Sequence, residues 1–383
     1  MPSLDRYALS KLDDLQRRHL RRTLTETLRE DGIWVERGGR RLLSFSCNDY
    51  LNLTQHLEVK RAAIAAIERY GAGSGASRLV TGNHPLYAEL EERLARIKQT
   101  EAAVVFGSGY LANAGIIPVL IGRDGLVLLD EFSHACIYAG AQLSRGRVMT
   151  FRHNDLDRAR ALLAKHRAEH DHALIVTDGV FSMDGDLAPL ADLLALARKH
   201  DTWLMSDDAH GLGVIGNGRG SSFAAGTHVE VPLQMGTLSK AVGAYGGYLC
   251  ASAPVIELMR NRARTLIYST GLPPAIVAAA LAALNLIERE PDYAALPVKK
   301  ARHFTRLTNL PEAQSPIVPV VIGEEEAALS ASKLLAEHGF LAAAIRPPSV
   351  PAGTARLRLT FTAQHPDEAI ERLAGIIREK ILQ

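Results

Sequence analysis

Cysteine is scarce, with three in 383 residues (Cys47, Cys136 and Cys250), far apart and without the spacing of a metal site. That excludes a disulfide framework and suits a reducing compartment. An excess of charge of one sign is missing too: 44 Lys and Arg face 42 Asp and Glu, for a formal net charge of +2. No bulk attraction to nucleic acid or to a membrane surface is therefore expected. The one basic cluster, Arg17-Arg18-His19-Leu20-Arg21-Arg22, fits a solvated helix face. No hydrophobic run is long enough to span a bilayer; the longest, Ala275 to Ile287, is alanine-rich, contains Asn285 and fits a buried helix. Met1 to Arg22 is charged throughout and lacks the apolar stretch of a signal peptide, so a cytoplasmic location is expected.

Whole reaction classes lack their signatures as well. There is no Gly-x-Ser-x-Gly elbow for a serine hydrolase and no Gly-Lys dipeptide for a phosphate-loop NTPase. Gly71-Ala72-Gly73-Ser74-Gly75 is rich in glycine but follows a helical stretch rather than a strand, which removes the context of a dinucleotide-binding turn. Internal repeats and low-complexity linkers are also absent.

What remains is an ordinary globular composition, 47% hydrophobic and 22% charged, with length for one large and one small domain. The first 43 residues suggest a charged helix from Lys11 to Glu30 and a hairpin through Gly38-Gly39. From 44 to 288, short apolar runs alternate with amphipathic helices. Ala102 to Phe106, Leu126 to Leu129, Ala173 to Thr177 and Trp203 to Ser206 have the character of buried strands. Leu86, Leu90, Leu94 and Ile97 share one face of a helix that starts after Gly82-Asn83-His84-Pro85. Such alternation predicts an α/β fold, a mostly parallel sheet between helices. Residues 289–383 suggest a small α+β domain: strands at Ile317 to Ile322, Phe340 to Ile345 and Arg356 to Phe361, and helices from Glu324 to Glu337 and after His365-Pro366-Asp367.

Lys240 stands out by its surroundings. It ends Met235-Gly236-Thr237-Leu238-Ser239-Lys240 and precedes Ala241-Val242-Gly243-Ala244-Tyr245-Gly246-Gly247, a run of small residues that lets a flat ring approach the amine. Upstream, an apolar run ends in Asp207-Asp208-Ala209-His210-Gly211. An acid at a strand end and a lysine in a small-residue loop point to pyridoxal phosphate, held as a Schiff base with its ring nitrogen kept protonated by a carboxylate. A solvated lysine and a helix-capping aspartate explain each residue singly; the conjunction is what points to the cofactor.

In open α/β sheets ligands sit at the carboxyl ends of the strands, and the other strand ends agree. Gly107-Ser108-Gly109-Tyr110 opens a helix whose free N–H groups suit a phosphate, with Tyr110 able to close over it. His134 follows the second strand and can stack on a ring, or be structural. Ser182, in the polar loop Asp178 to Asp186, can donate to a ring oxygen or to substrate, or merely stabilise a turn. Thr237, three residues before Lys240, can reach the phosphate.

Taken together, these stretches resemble the α-oxoamine synthases, a branch of the fold-type-I pyridoxal-phosphate enzymes. Gly73-Ser74-Gly75-Ala76-Ser77-Arg78, Phe181-Ser182-Met183-Asp184-Gly185-Asp186 and Leu266-Ile267-Tyr268-Ser269-Thr270 carry the likeness further, from about Leu43 to Thr362 with a looser amino-terminal match. The resemblance implies that Lys240 bonds the cofactor and later removes an α-proton, that Asp207 pairs with the ring nitrogen and that His134 stacks on the ring. Ser182 and His210 would contact the ring oxygen, while Gly109, Tyr110 and Thr237 would help hold the cofactor. Arg358 would bind an amino acid carboxylate. A homodimer is implied, with Thr270 reaching the neighbouring subunit's phosphate.

The stretch from Ala344 to Arg358 most resembles family members that join L-alanine to a pimeloyl thioester, carried on CoA or on a carrier protein. The distal carboxylate of that donor calls for a second arginine, Arg21 or Arg346. His134 and Ser349 are further substrate contacts; Ser349 stands where the family often has threonine. Leu238-Ser239 replaces the Phe-Gly of some relatives. The alternative within the family is a glycine-using enzyme of the 2-amino-3-ketobutyrate CoA ligase or 5-aminolevulinate synthase type.

Overall fold

The computed structural model describes residues 2–17, 20–30 and 32–382. Its first helix spans Ser3–Arg17 and none of its residues is buried. The expected helix from Lys11 to Glu30 is therefore wrong for its described part from residue 20 onward. Residues 20–27 have no regular structure, and Thr23, Thr25 and Thr27 show why: β-branched side chains favour helix poorly, and no packing against the core overrides them here. Arg18 and His19, the middle of the basic cluster, lie outside the described residues. Three short strands follow, β1 (Leu28–Arg29), β2 (Trp34–Arg37) and β3 (Arg40–Ser44), with β2 and β3 forming the expected hairpin.

Seven strands make the main sheet: β4 (Ala102–Phe106), β5 (Leu126–Asp130), β6 (Arg147–Phe151), β7 (Ala173–Asp178), β8 (Trp203–Asp207), β9 (Leu233–Thr237) and β10 (Gly247–Ala251). Their order is β4-β10-β9-β8-β7-β5-β6, and β10 alone runs against the others. Helices Gly109–Leu120, Ala135–Ser144 and Ala253–Arg262 cover one face, packing on Val104, Phe106, Val127, Met235 and Leu249. Helices Leu86–Lys98 and Pro274–Arg289 cover part of the other through Leu90, Leu94, Val277 and Leu284. Burial on both faces is why these strands are continuously apolar rather than alternating.

The carboxy-terminal section adds β11 (Ile317–Gly323), β12 (Phe340–Leu341), β13 (Ala343–Ile345) and β14 (Ala355–Thr360), with β11-β14-β13 as a three-stranded sheet. The single strand expected from Phe340 to Ile345 is divided. Its first part pairs in parallel with β3 and its second, antiparallel, with β14. Ser46 bridges the break, its Oγ donating to the Leu341 carbonyl (3.3 Å) and accepting the Ala343 N–H (2.9 Å). One consequence is that the amino-terminal hairpin shares a core with this section: Ile33, Leu43 and Phe45 pack with Phe304, Phe340, Leu357, Leu359 and Phe361. On the other side of β14, Arg356 and Arg358 are buried as well. Among the described residues no helix is long and apolar enough to cross a membrane.

Candidate active site

The carboxyl ends of the parallel strands converge. β5, β7 and β8 each finish on an aspartate, and the pairing of β7 with β8 sets Asp178 beside Asp207. Both are buried. Asp207 accepts from Asn113 Nδ2 at 2.7 Å and from the Ala209 N–H at 3.0 Å. Asp178 accepts the His134 N–H at 2.9 Å. Burial pushes both carboxyls upward, and for Asp178 the neighbouring charge of Asp207 adds to the rise.

Lys240 lies in the loop from β9 to β10. The Leu238 N–H bonds the Gly246 carbonyl (3.0 Å) and the Gly243 N–H bonds the Lys240 carbonyl (2.9 Å), which closes the turn. Gly243 has φ +69°, and a Cβ there would lie 2.8 Å from the Thr54 N, so only glycine fits. Burial lowers the Lys240 pKa, Asp207 and Asp178 pulling it back and Arg358 adding to the fall. An amine with a depressed pKa beside a buried acid is suited to covalent bonding and proton transfer.

His134 caps helix Ala135–Ser144, its Nδ1 accepting the Cys136 N–H at 3.2 Å. His210 is buried, with Tyr50 Oη 2.6 Å from its Nδ1. Burial, then the neighbouring Lys240 and Arg358, hold His210 well below the ordinary range, while burial pushes the Tyr50 phenol up to about 12. Both are therefore neutral at physiological pH. Arg358 reaches the same place from β14: Nε donates to the Ser182 carbonyl and an Nη donates to Asn48 Oδ1 at 3.2 Å. Those acceptors are neutral, and among the described residues Arg358 forms no ion pair. Its neighbour on the same face differs, since Arg356 pairs with Asp184 at 2.5 Å. A buried guanidinium without a counter-ion is a site for a substrate carboxylate.

The loop that carries Ser182 is pinned from behind. His153 sets Nδ1 3.1 Å from Asp130 and Nε2 2.8 Å from Asp186, with its ring stacked on Phe132 and edge-on to Phe181. Burial alone would lower this imidazole, but the bonds to Asp130 and Asp186 outweigh it and raise its pKa to about 10. Because the folded-state pKa is raised, the stabilisation is fully present below the unfolded value of about 6.5 and lost as pH rises through about 10. His153→Gln is expected to lower the melting temperature at pH 6, and the gap from the parent is expected to close by pH 10.5, which calorimetry at the two pH values checks.

Several features fit pyridoxal phosphate. Asp207 is buried among neutral donors, which leaves its charge available to a protonated ring nitrogen. Ser133 Oγ is buried without a partner at the same strand ends. The first-turn N–H groups of helix Gly109–Leu120 have no acceptor within the helix, and a Cβ on Gly109 would stand 3.3 Å from Thr237 Cβ, so helix start and Thr237 are adjacent. Thr237 Oγ1 donates to the Gly246 carbonyl at 2.6 Å, and a phosphate would compete with that carbonyl for its proton.

Other residues expected in the site lie further out. Tyr110 and Thr270 are exposed, Thr270 in a bridge with Ser77. Arg346 is half-buried and Ser349 exposed in the turn after β13, where the Ser349 N–H bonds the Arg346 carbonyl. Arg21 is exposed and, among the described residues, makes no hydrogen bond to the cleft. The structure adds Asn48, Tyr50, Asn113, Cys136 and Asp178. Asp178 carried a signal, since it ends a buried apolar strand as Asp207 does. Tyr50 and Asn48 carried none.

The class I and II aminotransferase family model matches residues 40–377. The 8-amino-7-oxononanoate synthase of Methylocella silvestris is 69% identical over 90% of this chain and 98% of its own length. That of Granulibacter bethesdensis is 61% identical over 99% and 98%. Among solved structures, Sphingomonas wittichii serine palmitoyltransferase superposes with a TM-score of 0.91 at 30% identity over 99% of this chain and 98% of its own. The Francisella tularensis 8-amino-7-oxononanoate synthase gives 0.76 at 26% over 89% and 98%. The chain belongs to the class I and II aminotransferase family and, within it, to the family of the 8-amino-7-oxononanoate synthases.

Proposed function

We infer that this chain is a pyridoxal-phosphate-dependent acyltransferase of biotin biosynthesis. It joins L-alanine to a pimeloyl thioester, releases the thiol and carbon dioxide, and forms 8-amino-7-oxononanoate. The observation that carries the reading is the near-full-length likeness to synthases of that name.

Bound pyridoxal phosphate supplies an electron sink that makes negative charge at the alanine α-carbon accessible. Lys240 would hold the cofactor covalently, and its amine would take the α-proton and later return one to the same carbon. Burial lowers its pKa, which favours the free amine for the first transfer. Asp207 would keep the proton on the ring nitrogen, and His134 would stack on the ring. His210, held by Tyr50 Oη 2.6 Å from its Nδ1, would contact the ring oxygen together with Ser182. Gly109, Tyr110 and Thr237 hold the phosphate. Arg358 binds the alanine carboxylate. Replacing its two-pronged guanidinium by a point charge (Arg358→Lys) is expected to raise the KM for alanine about 10- to 100-fold with a smaller change in kcat. An unchanged KM would remove Arg358 from this role.

Arg21 and Arg346 are the arginines proposed for the distal carboxylate, with Ser349 as a further substrate contact. Homodimer formation is supported by apolar surface unpartnered in this chain. Leu4, Leu12 and Leu15 are exposed on the first helix, and Leu79, Val80 and Tyr268 are exposed near the Ser77–Thr270 bridge. Three free cysteines suit a cytoplasmic location. The direct test is thiol release from pimeloyl-CoA by loaded protein, with L-alanine and glycine compared. Release that requires alanine is expected; release with glycine alone would transfer the chain to a glycine-using relative.

A further inference from the structure

Two of the proposed cofactor contacts, Asp207 and His134, are joined beneath the cleft by side chains given no role so far. Asn113, one turn into helix Gly109–Leu120, sends one amide hydrogen to Asp207 Oδ2 (2.7 Å) and the other to Cys136 Sγ (3.1 Å). Cys136 Sγ lies 2.8 Å from His134 Nδ1. All of this is buried except His134 itself, which opens to the cleft.

The direction of each bond follows from what each group can do. Turning the Asn113 amide over would set its oxygen 2.7 Å from a carboxylate oxygen, two acceptors with no proton between them, so the nitrogen faces Asp207. The same nitrogen then donates to the sulfur, and the sulfur's own hydrogen is left for His134. Nδ1 already accepts the Cys136 backbone N–H at 3.2 Å, so it carries no proton. A neutral imidazole with an acceptor Nδ1 has its hydrogen on Nε2.

We propose that Asn113 and Cys136 are positioning residues that orient Asp207 and lock His134 as the neutral imidazole with its proton on Nε2. This rests on the roles given to Asp207 and His134 above. Burial agrees: it pushes the Cys136 thiol up to about 12, which keeps its hydrogen in place, and lowers the His134 imidazole. The lock matters to the chemistry. An imidazolium stacked on the ring would place a second positive charge beside the protonated ring nitrogen. It would also stabilise a substrate carboxylate against leaving as carbon dioxide, which is ground-state binding that slows the step. A neutral Nε2–H orients that carboxylate without the full charge.

The test compares Cys136→Ala, Cys136→Ser and His134→Ala as loaded enzymes, with imidazole nitrogen NMR on histidine-labelled protein and pH profiles of kcat/KM. In the parent, His134 is expected as the Nε2–H form at pH 7 and above. Cys136→Ala removes the donor to Nδ1, so the His134 pKa and the acid limb of the profile are expected to move up by about half to one unit. kcat is expected to fall about three- to tenfold. Cys136→Ser keeps a donor and an acceptor and is expected to restore parental values within about twofold. A His134 titration and profile unmoved in Cys136→Ala, with His134→Ala inactive, would overturn the proposal and leave the role of His134 standing. Parental activity in His134→Ala would overturn that role itself. A His134 protonated on Nδ1 in the parent would overturn the lock.

Discussion

Lys240→Ala is expected to lower turnover by about 10⁴-fold or more, because one amine is given both the covalent hold on the cofactor and the proton transfers at the α-carbon. The loss is chemical rather than structural. Lys240 is kept from its ordinary pKa by burial, so its charge contributes nothing favourable to the fold that alanine would forfeit. The variant is expected to melt close to the parent. Mass analysis separates the two cases: after borohydride reduction and digestion, the parent's Lys240 peptide carries the cofactor mass and the variant's does not. Wild-type turnover in Lys240→Ala, or the cofactor mass on another lysine, would overturn the assignment.

The largest effect on stability belongs to the adjacent acid. Asp208 turns away from the cleft and pairs with Lys98 at 2.6 Å, both side chains 1% exposed. Its carboxylate also accepts the Ser221 N–H, and Lys98 Nζ donates to the Arg219 carbonyl, so the pair ties helix Leu86–Lys98 to the turns that follow His210. The packing is close: a Cβ on Gly220 would fall 1.7 Å from an Asp208 oxygen. Lys98→Met leaves that carboxylate buried without a counter-charge, a loss of about 3–5 kcal/mol. For a chain of this length that corresponds to a fall of about 4–6 °C in melting temperature. Adding Asp208→Asn removes the orphaned charge and is expected to recover most of the loss, which calorimetry of the two single variants and the double variant measures. A Lys98→Met protein as stable as the parent would show that the pair is dispensable.

Asp207 and Asp208 illustrate how far sequence reasoning reached. Both stand in one motif, and an apolar strand ending in an acid made Asp207 legible as a candidate. Nothing local says that the next residue points to the opposite side, because its partner is 110 residues away. The same divide runs through the fold. The strands β4, β5, β7 and β8 were visible as buried apolar runs, and helix Leu86–Lys98 by its periodic leucines. β9 and β10 were not, since Gly236, Thr237 and Gly247 dilute their apolar character and their pairing with each other and with β4 is tertiary. The division of 340–345 between two sheets depends on β3, some 300 residues earlier. In the cleft, residues on strand ends and in the lysine loop were legible. Tyr50, Asn48 and Cys136 belong to it through contacts that only the folded chain creates.

Because the family model carries the name of aminotransferases, the central claim is best separated from amino transfer by following alanine's carbons. Loaded protein is given pimeloyl-CoA and L-alanine labelled with ¹³C at the carboxyl carbon or at the α-carbon. Decarboxylative condensation predicts that the carboxyl label leaves as carbon dioxide in step with free CoA, while the α-carbon label stays in an amine-bearing nine-carbon acid. Labelled pyruvate formed without thiol release would contradict the account.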